Sequence, residues 1–289
     1  MVMSAASHQR EDRTRPDEPR ARAMSAVIWH ELECGSYAVD MPLWRELAAP
    51  AGTGADAQPV LDVGAGIGRV ALDLAARGHR VTALDLDADL LAALRERAGR
   101  RPIAQIPVET VCADARTFEL VRRDFAVCLV PMQTIQLLKG KGGRMQLLLR
   151  ARAHLRPGGL LACAIVTQIE CFDCSAGDPA PSPEVAHVNG LRYVSRATRV
   201  QLDGASVRIE RERSIEREPG IPAGEQPDRR NAAEGAALAL PEHDVVELDR
   251  LTAAQLVREG GQAGLSPAGI RSIPATREHV GSEVVLLRA

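Results

Sequence analysis

Hydrophobic positions in this chain alternate between two spacings. Short apolar runs end at a glycine or an acid, and longer stretches follow with apolar residues three and four apart. Pro59-Val60-Leu61-Asp62-Val63 reads as a buried strand that stops at Gly64, and Val70 to Ala76 as an amphipathic helix stopped by Gly78. Arg80 to Leu84 is a second strand and Val108 to Ala115 a third. Asp124 to Val130 is a fourth, and Leu160 to Val166, after a helix from Gly143 to about Leu155, is a fifth. Thr252 caps a helix through Glu259, and Gly269–Ile273 and Glu283–Arg288 read as the last two strands. Strands that alternate with helices predict an α/β chain with a parallel sheet. Between the fifth strand and the last helix the pattern changes. Leu191–Val200 and Ala205–Ile215 alternate about the hairpin signal Asp203-Gly204, and Val245–Arg250 reads as a third strand beside them.

The turn after the first strand carries the chemistry. Gly64, Gly66 and Gly68 stand at alternate positions, where absent side chains let the backbone turn sharply and lie close to a ligand. Asp85, at the end of the second strand, is placed to accept hydrogen bonds from a ribose diol. The dinucleotide fingerprint G-x-G-x-x-G would require its third glycine at position 69, which is Arg69. The pattern is G-x-G-x-G instead, preceded by an acid and one spacer.

On these residues, Asp62-Val63-Gly64-Ala65-Gly66-Ile67-Gly68, the chain resembles the class I S-adenosylmethionine-dependent methyltransferases. Later landmarks agree in order: Asp114-Ala115 after the third strand, the turn Leu155-Arg156-Pro157-Gly158-Gly159 before the fifth, and the terminal pair of strands. The resemblance covers about residues 28–170 and 245–289. It implies a Rossmann-like, doubly wound, mostly parallel seven-stranded sheet with an antiparallel last strand and a small antiparallel β insertion. It implies S-adenosyl-L-methionine as cofactor and S-adenosyl-L-homocysteine as product. The cofactor residues it assigns are Asp62, Gly64, Ala65, Gly66, Gly68, Asp85, Leu86, Asp114, Ala115 and Val130.

Composition narrows the partners. A net charge of −2 argues against a broad electrostatic grip on nucleic acid. Arginine outnumbers lysine, present only as Lys139 and Lys141, which suits a GC-rich coding bias. No apolar run approaches the roughly 20 residues that span a bilayer, so no membrane partner is expected. The first 24 residues mix acids with arginines and read as a disordered tail, with Met24 an alternative start. Of the six cysteines, Cys112, Cys128 and Cys163 fall in predicted strands, and Cys171-Phe172-Asp173-Cys174 is a lone C-x-x-C without a second pair. His154 and His187 do not complete a convincing zinc set, so no metal is expected. Reduced thiols fit a cytoplasmic protein.

The expected organisation is a tail over 1–24, a cofactor-binding core over 25–170 and 245–289, and a β-rich substrate cap over 171–244 with a flexible loop or lid at 217–241. Ligands in open α/β sheets bind beyond the carboxyl ends of the strands. The acceptor side then falls to the segment Trp29–Trp44, to the loop after the fourth strand and to the cap. Tyr37, Met132, Gln133 and Tyr193 are the substrate candidates, and Gln136 is a further pocket candidate. That loop reads Val130-Pro131-Met132-Gln133 and lacks the double proline and aromatic of enzymes that methylate DNA amines or protein glutamine, which favours a small molecule. The expected reaction is in-line transfer of a methyl group to an O or N atom, driven mainly by proximity and alignment. No catalytic base is legible; His30, Glu31, Glu33 and His187 are candidates by location only. Two rival readings remain, an NAD(P)-dependent oxidoreductase of Rossmann type and a non-catalytic S-adenosylmethionine-binding protein. The oligomeric state is not legible.

Overall fold

The computed structural model describes residues 18–100, 108–217, 241–276 and 279–289. The expected tail over 1–24 needs correcting at its end, because helix α1 already begins at Glu18 and runs to His30; the rest of that segment, and nearly all of the expected lid at 217–241, lie outside the described residues. A π-helical turn, Glu31–Gly35, follows α1 directly, and α2 spans Met41–Ala48.

The core then alternates as expected. The strands are β1 (Pro59–Val63), β2 (Arg80–Asp85), β3 (Glu109–Cys112), β4 (Phe125–Val130) and β5 (Leu155–Ile165); α3 (Arg69–Ala76), α4 (Ala88–Arg100) and α5 (Gly140–His154) follow β1, β2 and β4, and β3 leads to β4 without a helix. After β5 come the strands β6 (Phe172–Asp173), β7 (Glu184–Val188), β8 (Leu191–Asp203), β9 (Ser206–Arg217) and β10 (Glu242–Asp249). Helix α6 (Ala253–Gln262) and strands β11 (Ser266–Ile273) and β12 (Ser282–Arg288) complete the chain.

One seven-stranded sheet has the order β3-β2-β1-β4-β5-β12-β11. Its first five strands pair in parallel, while β12 runs antiparallel to both β5 and β11. Adjacent β1 residues feed opposite faces, as the strand period of two requires. Val60 joins Trp44, Leu74 and Leu94 on one side; Leu61 joins Phe125, Leu147 and Leu256 on the other. The sheet is therefore covered by helices on both faces, which is why its central strands are apolar but for Asp62.

The insertion forms a second, antiparallel sheet in the order β10-β9-β8-β6, with β7 also paired to β8. Its last strand reaches Asp249, so the core resumes about five residues later than the expected 245. Two further differences have the same origin in long-range contacts. Helix α5 begins three residues before the predicted Gly143, because the Asp249 carboxylate accepts the Gly140 N–H at 2.8 and 2.9 Å. Strand β5 begins at Leu155 because the C-terminus holds the glycine turn. Gly158 N–H donates to the Ala289 carbonyl and Ala289 N–H to that of Gly159, at 2.9 and 3.0 Å.

Candidate functional site

The site lies at the carboxyl ends of β1, β2, β3 and β4. The backbone N–H groups of Gly64 and Ala65 donate to the Leu84 carbonyl at 2.8 and 3.0 Å, which staples the turn to the end of β2. Gly64 and Gly66 have φ of +74° and +52°, the left-handed region that other residues rarely enter. Space enforces glycine as well. A Cβ on Gly64 would sit 2.5 Å from the Thr134 side chain, and one on Gly66 would sit 2.4 Å from His30 Nε2. The turn is thus gripped between the loop after β4 and the last residue of α1.

Gly66 N–H also donates to Asp85 Oδ2 at 2.7 Å, and Asp87 N–H to Asp85 Oδ1 at 2.9 Å. Each oxygen keeps a further lone pair, so the carboxylate is oriented and still able to accept two hydroxyls. Leu86 beside it is exposed. The Ala113 N–H donates to the Asp85 carbonyl at 2.9 Å, which draws the β3 loop, with Asp114 and Ala115, against the same spot. Asp114 is gripped by the Arg116 guanidinium and backbone N–H, which hold its carboxyl below the usual range. Arg116 was not foreseen. Val130 is wholly buried among core residues such as Leu61 and Val63, so its side chain serves packing.

Asp62 lies under the turn, 1% exposed, and neither of its oxygens makes a well-formed hydrogen bond among the described residues, although the Ala71 N–H lies close enough to favour its charged form. Burial pushes its pKa up to about 7, against the opposing pull of Arg69. A buried carboxyl so weakly hydrogen-bonded is costly to keep.

Arg69 proves to be the anchor of the N-terminal segment. Its guanidinium donates to both Asp40 oxygens at 2.5 and 2.8 Å and to the Tyr37 carbonyl at 2.8 Å. Asp40 is almost fully buried and also accepts the Trp44 indole N–H at 2.7 Å. Tyr37 is buried with the Arg69 guanidinium 5.3 Å from its ring centroid and His279 edge-on at 4.9 Å. Met132, at φ +54°, packs on the cluster that holds Tyr37, Met41 and Ala65. Tyr37 thus meets Arg69, the residue after the glycine turn, and half-buried Met132 and Gln133 stand in the loop whose Thr134 meets Gly64.

Other expected residues go elsewhere. Tyr193 is buried edge-on against Trp29 at 5.1 Å, in the joint between α1 and the second sheet. Gln136 is a clasp. Its amide donates to the Val166 and Asp249 carbonyls and its oxygen accepts Val166 N–H at 2.7 Å, so its capacity is spent on structure rather than on a pocket. Glu31 pairs with Arg97 at 2.6 Å. Glu33 accepts from Ser195 at 2.7 Å and from Arg213 at 2.7 and 2.8 Å. Burial works to raise its pKa, but these bonds and Arg211 outweigh it and hold Glu33 below the ordinary value. Both glutamates are engaged by arginines. His187 sits on β7 of the second sheet. Among the described residues no group of three His, Cys, Asp or Glu side chains is arranged to hold a metal, and no helix is long and apolar enough to cross a membrane.

Fold and turn together define the class: this is the class I S-adenosylmethionine-dependent methyltransferase fold, and residues 60–159 match the family model of a methyltransferase domain. The chain is similar to the probable cobalt-precorrin-6B C(15)-methyltransferase (decarboxylating) of Methanothermobacter thermautotrophicus, with 30% identity over 118 residues. That match covers 39% of this chain and 57% of the relative's length. Among solved structures, an S-adenosylmethionine-dependent methyltransferase from Clostridium acetobutylicum aligns over 93% of this chain and 98% of its own, at TM-score 0.61 and 11% identity. CalS10, an amino pentose methyltransferase from Micromonospora echinaspora, aligns over 98% and 100%, at 0.58 and 18%. KedS8, a sugar N-methyltransferase from Streptoalloteichus, aligns over 100% and 99%, at 0.58 and 16%. At these identities the likeness is one of fold.

Proposed function

We propose that this chain is an S-adenosylmethionine-dependent methyltransferase that transfers a methyl group to an O or N atom of a small molecule. The observation that carries the reading is the glycine turn with its two acids: Asp85 fixed by Gly66 N–H with acceptor capacity to spare, and Asp62 buried beneath the turn. These groups suit a ligand with a ribose diol at one end and a polar amino-acid group at the other. Asp85 would hold the ribose, the Gly64–Gly68 backbone would lie against the methionyl portion, and Asp114, Ala115 and Leu86 would border the adenine. When bound, the cofactor supplies an electrophilic methyl group on sulfur. The chain's own task is then to bind, align and exclude water. Tyr37 and Met132 flank the turn from the side open to an acceptor, with Gln133 next to Met132. An acceptor that arrives as a neutral amine needs no base, which accords with the pairing of Glu31 and Glu33 to arginines. The small-molecule reading is in keeping with fold relatives whose names specify sugar or amino-pentose acceptors.

Equilibrium dialysis against labelled S-adenosylmethionine and NADH tests the cofactor. Saturable binding of the former is expected; exclusive NADH binding would overturn the proposal. Turnover to S-adenosylhomocysteine across a panel of amino sugars, amines and hydroxylated metabolites then tests the acceptor. Binding without turnover on every class would favour a non-catalytic role.

A further inference from the structure

We propose that His30 is a cofactor-binding residue, whose imidazole closes over the ribose position beside Gly66 and Asp85 and hydrogen-bonds a ribose hydroxyl. This rests on the methyltransferase reading above and adds to it a residue from outside the matched domain.

The geometry starts with Gly66. Its N–H orients the Asp85 carboxylate at 2.7 Å, and the His30 ring lies so close to the same residue that a Cβ would meet Nε2 and Cε1 at 2.4 and 2.5 Å. One residue therefore carries the ribose acid on its amide and the imidazole against its α-carbon. The imidazole also feels the Asp85 charge, which partly offsets the lowering of its pKa by burial.

The second observation is that His30 Nδ1 is shut off from solvent and has no partner among the described residues, so a ligand hydroxyl can meet the ring only through Nε2, the nitrogen beside Gly66. Leaving such a group unpaired is costly. An unpaired nitrogen alone marks no site. His79 has one too, but it precedes β2 at the end away from Asp85, where no ligand binds in this class of sheet. His154 shows the ordinary state of a buried imidazole in this fold. Its Nε2 accepts Leu120 N–H at 3.0 Å and its Nδ1 lies 2.7 Å from the Arg150 carbonyl. His30 combines an unmet nitrogen with a place at the carboxyl ends of the strands.

A hydroxyl suits this imidazole better than an amide or a carboxylate would. It both donates and accepts, so it satisfies the ring in either neutral tautomer. The π-helical turn Glu31–Gly35 begins at the next residue, and such irregular turns re-aim helix ends at functional sites. Glu31, pinned by Arg97, and Glu33, pinned by Arg213, fix that turn on both sides.

The test is titration calorimetry of S-adenosylhomocysteine and its 2′- and 3′-deoxyribose analogues against the full chain and two variants. His30→Phe keeps the ring and removes both nitrogens; His30→Gln keeps hydrogen bonding. His30→Phe is expected to weaken S-adenosylhomocysteine about tenfold, and His30→Gln less than threefold. The His30→Phe loss should shrink to under twofold for the one deoxy analogue that lacks the contacted hydroxyl. Unchanged or tighter binding by His30→Phe would overturn the inference, since the ring would then be packing or an obstruction. An equal loss on all three ligands would also overturn it, as a generic disturbance. If the unaltered chain binds none of the ligands, the methyltransferase reading itself fails, and this inference with it.

Discussion

The glycine turn and the second sheet treat buried polar groups in opposite ways. At the turn, Asp62 and His30 keep atoms shut off from water without a well-formed hydrogen bond among the described residues. In the joint of the second sheet, charges are matched. Glu33 meets Arg213, Arg211 and Ser195; Arg213 also reaches Asp244 at 3.2 Å and stands 5.6 Å from the Trp29 ring centroid. A joint that satisfies itself is a fixture, whereas a site that leaves groups unmet is one that waits for a ligand. The contrast separates the parts of this molecule that should change its stability from those that should change its binding.

The largest expected effect tests where the two kinds of region meet. Arg69→Ala leaves Asp40 buried with only the Trp44 indole, and should cost about 3–5 kcal/mol in urea unfolding. A loss below 1 kcal/mol would show that the N-terminal segment is not anchored there.

Asp62→Asn probes the turn through pH. With a folded pKa of about 7 and an unfolded value near 3.9, the folded state holds the extra proton between those values. Stability therefore falls as pH rises from about 4 to 7 and levels off above. The variant lacks this loss, so it should gain on the order of 3 kcal/mol over the parent on going from pH 4 to pH 8, while its affinity for S-adenosylhomocysteine drops. Parallel melting curves at the two pH values would refute the buried-carboxyl picture.

Asp85→Ala should weaken S-adenosylhomocysteine by about 1–3 kcal/mol in calorimetry and, because it strands the Gly66 N–H, should also lower the melting temperature. The smallest effect lies in the clasp. Gln136→Ala strands the Val166 N–H and should cost about 1–2 kcal/mol in unfolding. Its affinity for S-adenosylhomocysteine should stay within twofold of the parent. Should Gln136→Ala and Asp85→Ala prove indistinguishable in both assays, the division between fixture and site collapses.

The strands, the glycine turn and Asp85 are legible in sequence because each depends on local spacing: an apolar run, a stop, a carboxylate at the next strand end. The hairpin of β8 and β9 is legible for the same reason, through Asp203-Gly204. What escapes is whatever depends on partners far along the chain. Arg69 reads only as a residue unsuited to a dinucleotide fold, yet its main role is to hold Asp40, 29 positions earlier. The start of α5 carries no local cap, because Asp249 supplies it from 109 positions away. Tyr193 and Gln136 are polar residues in plausible pocket segments, and nothing in their neighbourhood signals that Trp29 and Val166 claim them. His30 does carry a signal, as the last residue of a helix that precedes the turn, but periodicity cannot say which glycine it will touch.

The attachment of β10 bears on how such caps are exchanged in evolution or by design. Asp249 closes the second sheet, and its carboxylate meets both the α5 N-terminus and Arg144, whose other partner is Glu259. Gln136 holds its carbonyl. A graft that replaced only residues 171–249 would leave an arginine, an amide and a helix end of the host unmatched. The second sheet is therefore not a module that can be lifted out at its sequence boundaries. The unit of exchange includes Gln136, Arg144 and Glu259, and chimeras cut without them should express poorly even when the acceptor site is well chosen.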